Sequence, residues 1–326
     1  MPADARASYR LSPNNPGLLG LQLSQRERAA SWLVDPHNRH PWSVLRNEAD
    51  YAEDERPDSP CVTVSTVTLP RAPVRAWIEG RADVPASRIT EHRVRSVLLG
   101  NERLVWVYTP PGYTSDRASC PLVVCFDGHG YIHAAAAPTT LDNLQHAGKL
   151  PPVVAAFVDT PLPTRGHELP CNDRFAEFVT EELLPWLQER YAVSRNPSER
   201  VLAGVSFGGL AATFIAINHP DVFGCVLSQG GSFYWPAEED GYERIARQLA
   251  GGPRLPIRFH LDVGRFDTAP RPGSCPTILT ANRHLRDVLT AKGYDLHYQE
   301  FSGGHEFLGW RGTFADGLMA LLGQLG

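Results

Sequence analysis

The feature that most constrains this chain is the run Gly204-Val205-Ser206-Phe207-Gly208-Gly209. An apolar strand pattern, Arg200-Val201-Leu202-Ala203, leads into it, and a helical pattern from Leu210 to Ile217 leads out. G-x-S-x-G between a strand and a helix makes a sharp turn that lifts the serine hydroxyl off the end of a sheet. Gly204 and Gly208 let strand and helix approach closely around it. The helix N-terminus leaves amides unpaired beside the hydroxyl, where an oxyanion develops during acyl transfer. Ser206 is therefore the candidate nucleophile, and the Phe207 amide a candidate oxyanion donor. Without the flanking strand and helix, the same residues would read as a glycine-rich turn with a capping serine.

A nucleophilic serine needs a general base, and the base needs an orienting carboxylate. In a strand-turn-helix arrangement of this kind they come in the order Ser, Asp or Glu, His. Downstream, Arg258 to Val263 reads as an apolar strand running into a polar loop. A helix from Thr277 to Lys292 and a strand from Asp295 to Phe301 then lead to Ser302-Gly303-Gly304-His305-Glu306. His305, on a glycine-rich loop past the last strand, is the candidate base. Asp267, in the loop beyond Gly264, is the favoured acid. Asp262, inside the strand pattern, is the alternative, and Glu306 reads as a loop residue.

Composition narrows the classes of function. Hydrophobic content of 42% and charged content of 21% describe an ordinary globular chain. The net charge of −5 and the lack of a basic tract exclude nucleic acid and anionic membrane as expected partners. Met1 to Ala7 has no apolar stretch of a secretory signal, and no run of about 18 apolar residues predicts a membrane span. The six cysteines are scattered without a CxxC pair. They read as thiols in a reducing cytoplasm, with Cys125 and Cys225 inside apolar strand patterns. No cluster has metal-ligand spacing; Asp35, His37 and His40 fall in a Pro- and Asn-rich loop. No cofactor or metal is expected.

The pattern divides near residue 85. Residues 1–85 are rich in turns, with one helix expected from Ser24 to Val34 and little strand pattern. They are expected to wrap or partly cap the core of the domain downstream. Residues 86–326 open with a hairpin, Arg88–Leu98 and Arg103–Thr109 around Gly100-Asn101. Short continuous apolar runs then alternate with helices: Leu122–Phe126, Val153–Val158, the helix Phe175–Tyr191 and the strand Val222–Ser228. Buried apolar strands alternating with helices predict an α/β-hydrolase fold, a mostly parallel sheet with an antiparallel edge hairpin and helices on both faces. The second oxyanion donor is expected from the loop after Phe126-Asp127-Gly128, within Gly128–Tyr131, with Gly130 and His129 as candidates.

Several stretches carry a family resemblance: Phe126-Asp127-Gly128, Arg165-Gly166-His167-Glu168-Leu169-Pro170-Cys171-Asn172, Gly204–Gly209, Gly231-Ser232-Phe233-Tyr234-Trp235-Pro236, and Gly303-Gly304-His305-Glu306 with Trp310-Arg311-Gly312. From about residue 88 onward the chain resembles the enterochelin esterases, a branch of the esterase D-like α/β hydrolases. The resemblance implies cytoplasmic hydrolysis of the esters of a trilactone siderophore, with a ferric catecholate as substrate. Ser206, His305 and Asp267 fall in the slots of nucleophile, base and acid. Arg165 falls at an arginine that would face an anionic ligand, although the chain alone would read it as a solvated side chain. Tyr131 and the run Phe233-Tyr234-Trp235 would lie near the site. The run could stack on aryl rings or form a buried aromatic cluster.

The resemblance also implies an N-terminal β-sandwich, most of which is expected to be missing from residues 1–85. His129-Gly130-Tyr131-Ile132-His133 stands where relatives often have an aromatic pair, and Val205 where glutamine is common. Hydrolase chemistry is therefore more firmly implied than the siderophore. Two further functions stay open: an acyltransferase or thioesterase of the same fold, and a non-catalytic binder of a ferric chelate. An intact Ser206 and His305 argue against the last.

Overall fold

A computed structural model of the chain describes residues 1–12, 32–50, 59–115, 119–236, 241–271 and 274–323. Two units divide the chain, Met1–Val74 and Arg75–Gly326.

The first unit holds a three-stranded antiparallel sheet of β1 (Arg6–Tyr9), β2 (Trp42–Leu45) and β3 (Cys61–Thr68), in the order β1-β3-β2. The sequence showed little strand pattern here. The central strand is nonetheless a run of Val and Thr, residues whose branched side chains suit a pleated, half-buried surface. Most of the helix expected over Ser24–Val34 lies outside the described residues. At its far end, Leu33 and Leu11 exchange two backbone hydrogen bonds, of 2.8 and 2.9 Å. Asp35 is a loop residue that accepts from Tyr9 Oη at 2.7 Å and from the His37 amide at 2.9 Å.

The second unit is built on an eight-stranded sheet in the order β11-β10-β9-β8-β6-β7-β5-β4. β4 (Arg88–Ser96) and β5 (Asn101–Thr109) form the antiparallel edge hairpin, and β5 also pairs antiparallel with β7 (Val154–Val158). β6 (Leu122–Phe126), β8 (Arg200–Val205), β9 (Cys225–Gln229), β10 (Arg258–Gly264) and β11 (Asp295–Phe301) continue it in parallel. This is the α/β-hydrolase fold expected from the sequence. The apolar runs sort by alternate residues onto two cores. Leu122, Val124 and Phe126 face a core with Phe175, Phe214 and Phe259, while Val123 and Cys125 face one with Tyr131, Leu141 and Phe314. The central strands are apolar on both faces because helices cover both, as a parallel sheet demands.

The helices are α1 (Gly128–His133), α2 (Ala137–His146), α3 (Leu162–Glu168), α4 (Asp173–Glu177), α5 (Leu184–Arg190), α6 (Phe207–Asn218), α7 (Arg244–Gly251), α8 (Ile278–Ala291) and α9 (Phe307–Leu322). A π-helical stretch, Phe178–Leu183, joins α4 and α5 into the one helix that the sequence predicted. Thr277 caps α8, its side chain accepting from the Thr280 amide at 3.1 Å. All six cysteines are free. Burial pushes the Cys125 thiol well above its ordinary range.

Glu300, near the end of β11, braces the loop that leaves β10. Arg283 of α8 holds its carboxylate bidentately, with both bonds at 2.8 Å, and Arg265 of the loop lies 3.9 Å away. The Arg265 amide donates to Phe301 O at 2.8 Å. The Arg283 hydrogen bonds, outweighing burial, hold Glu300 from 4.5 down to about 2. An acid depressed in the folded state stabilises it above the unfolded value and stops doing so as pH falls through the folded one. Thermal unfolding followed by circular dichroism should therefore show stability falling from pH 4.5 to 2. Glu300→Gln should flatten the profile across that window and lower the melting temperature at pH 7. Identical slopes in both proteins would contradict this role.

Candidate active site

The turn between β8 and α6 holds Ser206 at φ 57° and ψ −117°. Such a conformation costs an L-residue of order 1–3 kcal/mol and persists only where the surroundings fix it. Three backbone hydrogen bonds do so. The Ser206 amide donates to Gln229 O of β9 at 2.9 Å, while Ser206 O accepts from Leu210 N and Ser232 N, both at 3.1 Å. The glycines before and after it are required by space. A side chain at Gly204 would collide with the backbone of Gly208, and one at Gly208 would approach Asp127 Oδ2 to 3.0 Å. The Ser206 hydroxyl pairs with that of Ser232 at 3.2 Å.

His305 comes after β11 on its glycine-rich loop, with its side chain about one-third exposed. Its Nδ1 lies 3.3 Å from Asp267 Oδ2, a carboxylate only 3% exposed. Nδ1 on the acid leaves Nε2 for a proton from elsewhere. The ring of Trp310 meets the imidazole edge-on at 4.9 Å. Gly230, at φ 58°, lies against both rings; a Cβ there would sit 3.3 Å from His305 Nδ1 and 3.2 Å from Trp310 Cζ2. The adjacent residues Gln229 and Gly230 thus touch Ser206 through the backbone and His305 through packing.

Asp262 has a different setting. It is fully buried, accepts from Gln229 Nε2 at 3.1 Å, and lies 3.7 Å from His260 Nε2. Between the two candidate acids, the one on His305 is Asp267.

Two loops meet beside Ser206. The first three amides of α6, from Phe207 to Gly209, begin a helix and have no intrahelical acceptor. The stretch after β6, read from sequence as a loop, is also helical from Gly128 to His133, entered through Asp127 at φ 61°. One arginine ties the two together. Arg165 of α3 donates from Nε and Nη2 to the two Asp127 oxygens at 2.6 and 2.7 Å, and from Nη2 to Val205 O at 3.1 Å. Asp127 also accepts from Thr160 Oγ1 at 2.5 Å. Arg165, expected to face an anionic ligand, has its anion inside the protein.

The other expected binding residues are divided. Tyr131 is fully buried and donates its hydroxyl to Gln229 Oε1 at 2.9 Å, so it belongs to the core rather than to a pocket wall. Phe233 is also fully buried, and Tyr234 nearly so. The run therefore behaves largely as the buried aromatic cluster. Trp235 is partly exposed, edge-on to Phe207 at 5.4 Å. At Gly130, a candidate for the second oxyanion donor, the space a side chain would take is filled by the ring of Phe307. His129 packs against His133 at 4.4 Å, and burial, then the charge of His133, pushes it from 6.5 down to about 4. Its imidazole is neutral at neutral pH.

Sequence reasoning missed Ser232, the Asp127–Thr160–Arg165 cluster as a unit, and the packing of Trp310 on His305. Ser232 and Trp310 did stand in the motifs that carried the resemblance. Among the described residues no group of three or more His, Cys, Asp or Glu could hold a metal ion, and no helix is long and apolar enough to cross a membrane.

Comparison with known proteins agrees with this architecture. Residues 96–321 match the family model described as putative esterase. The iron(III) enterobactin esterase of Escherichia coli O6:H1 is 32% identical over 95% of this chain and 72% of its own length. The crystal structure of ferric enterobactin esterase from Salmonella typhimurium is 28% identical and superposes with a TM-score of 0.80, covering 98% of this chain and 79% of that one. The enterobactin esterase from Shigella flexneri, crystallised in the presence of enterobactin, gives 0.79 over the same shares at the same identity. The chain belongs to the esterase family, among the enterobactin esterase-like α/β hydrolases, and is a carboxylic ester hydrolase.

Proposed function

We propose that the protein is a serine esterase that cleaves the ester bonds of a ferric catecholate trilactone in the cytoplasm, through an acyl-enzyme on Ser206. The observation that carries this reading is the pairing of Asp267 with His305 Nδ1 at 3.3 Å, together with a serine held in a strained turn at a helix N-terminus. The Escherichia coli O6:H1 relative named as an iron(III) enterobactin esterase aligns along 95% of the chain and supports the substrate class. The cytoplasmic location is in keeping with six free thiols.

The geometry supports a role for each residue. The Ser206 hydroxyl turns from Ser232 toward His305, whose Nε2 takes the proton as Oγ attacks the ester carbonyl. Apo sites commonly hold this contact loosely and tighten it around substrate. Asp267 keeps the proton on Nδ1 and stabilises the imidazolium. The Phe207 amide and one amide at the start of α1 receive the oxyanion, each such donor being worth about 3–4 kcal/mol. His305 returns the proton to the leaving alkoxide, which departs as the alcohol. Water then attacks the acyl-enzyme with His305 again as base, releasing the carboxylic acid.

A fluorophosphonate probe should label the wild-type protein and fail on Ser206→Ala; labelling elsewhere, or none in folded protein, would overturn the nucleophile. Mass spectrometry of products from ferric and apo trilactones, with an added alcohol acceptor, tests substrate and reaction together. Free acid is expected as the product, and an acceptor ester would instead mark an acyltransferase.

Asp267→Asn should lower kcat by about 10³-fold or more, as loss of an orienting acid does, and His305→Ala should cost more. Full activity in Asp267→Asn would remove it from the triad.

Arg165 acts here as a positioning residue that sets α1 against the β8–α6 turn. Arg165→Ala should reduce kcat roughly a hundredfold, the scale of a 1 Å misplacement, with KM little changed. The loss should be the same for neutral and anionic esters. A rise in KM confined to anionic esters would instead make Arg165 a ligand contact.

A further inference from the structure

With Arg165 committed to Asp127, the anionic substrate of the proposed reaction lacks its expected cation. A second arginine has the right chemistry. Arg271 lies on the loop between β10 and α8, four residues beyond Asp267. Its guanidinium sits 3.5 Å from the centroid of the Tyr234 ring. Among the described residues it makes no hydrogen bond or ion pair, and its buried Nε has no partner. Glu243, whose charge like that of Arg271 reaches the Cys275 thiol, has its carboxylate engaged by His284 Nδ1 at 2.8 Å.

Both supports of this guanidinium lead to the site. Tyr234 is two residues from Ser232, whose hydroxyl lies 3.2 Å from that of Ser206 and whose amide bonds Ser206 O. The loop bearing Arg271 starts from the acid that holds His305 and is pinned there by the Leu279 amide on Asp267 O at 3.1 Å. Stacking on a phenol fixes the plane of a guanidinium while leaving its edge donors unspent. A planar, oriented fork with free donors suits an anion that is itself planar, such as a ring-borne phenolate pair or carboxylate. Trp235, next along the chain and partly exposed, stands by with an aromatic surface.

We propose that Arg271, held flat by Tyr234, is the cation that receives the anionic ring substituents of an aryl ester at this site. The proposal rests on the esterase reading above and names the charge that the substrate presents to it. It also assigns the Ser232–Trp235 loop a purpose, since Tyr234 orients the recognising group from beneath instead of touching the ligand.

The test uses the full-length enzyme and a pair of esters alike in size, 4-acetoxybenzoate and 4-nitrophenyl acetate, one anionic and one neutral. In Arg271→Ala the ratio of kcat/KM for the anionic to the neutral ester should fall about tenfold, equal to about 1.4 kcal/mol. Arg271→Lys should keep part of the ratio, since charge remains and the fork is lost. Added salt should compress the wild-type ratio toward that of Arg271→Ala. Equal ratios in wild type and Arg271→Ala, with both folded by circular dichroism, would overturn the proposal. A ferric trilactone is the third substrate. If the wild type leaves it intact while cleaving both acetates, the siderophore reading fails, and the acetate pair still decides the role of Arg271.

Discussion

The site depends on one strained residue. Ser206 holds a backbone conformation that L-residues avoid, and the turn itself supplies only one hydrogen bond against it, from the Leu210 amide to Ser206 O. The rest of the compensation comes from β9, whose Gln229 carbonyl takes the Ser206 amide, and from Ser232, whose amide takes the Ser206 carbonyl. Both partners lie more than twenty residues away in sequence and exist only once the parallel sheet is assembled. The hydroxyl is thus aimed by the sheet as a whole. The absent side chains at Gly204 and Gly208 let β8, α6 and Asp127 approach closely enough for that aim to be kept.

The same economy governs the proposed acid and base, Asp267 and His305. Gly230 continues the β9 segment that anchors Ser206, and it packs against His305 and Trp310. Its amide donates to Asp262 O at 2.7 Å. Asp262 therefore serves the site from behind, through its backbone and through Gln229, while Asp267 serves it from the front on a loop. The two carboxylates stand five residues apart, yet the strand end separates a fully buried network from a histidine that meets solvent. Behind the sheet, Gln229 joins Tyr131, Asp262, Trp310 O and Thr313. That network explains why Tyr131 is spent on structure.

Much of this was legible in the chain, and the exceptions share a physical cause. Apolar runs such as Leu122–Phe126 and Val154–Val158 announced themselves by composition and length, because a strand covered on both faces must be apolar throughout. The order Ser206, Asp267, His305 came from the chemistry and the loop positions. The readings that changed were decided by distant partners. Arg165 looked available for a ligand because Asp127, 38 residues away, gives no sign in sequence that it will reach back. Nothing near Gly130 in sequence shows that Phe307, from the far end of the chain, fills the space beside it. α1 was hidden because Gly-His-Gly has poor intrinsic helix propensity, and its six residues form a helix only as the sheet end and Phe307 enclose them. In the first unit the turn-rich flanks drew attention from the Val and Thr alternation of β3.

Under the proposed reading, two arginines divide the handling of an anionic substrate. A cation at the oxyanion loops would hold a substrate anion wherever it first met one, including at the reacting centre. With Arg165 neutralised by Asp127, the donors beside Ser206 are uncharged amides, and the His129 ring of α1 is kept neutral by burial and then by the charge of His133. Uncharged donors respond to the charge that develops on the carbonyl oxygen more than to charge already present on the substrate, which favours the transition state over the ground state. Binding of the standing charge is then left to a group set apart from the amides, on the loop of the acid, where Arg271 lies over Tyr234. Separating the two tasks lets the site attract an anion without parking it over the nucleophile.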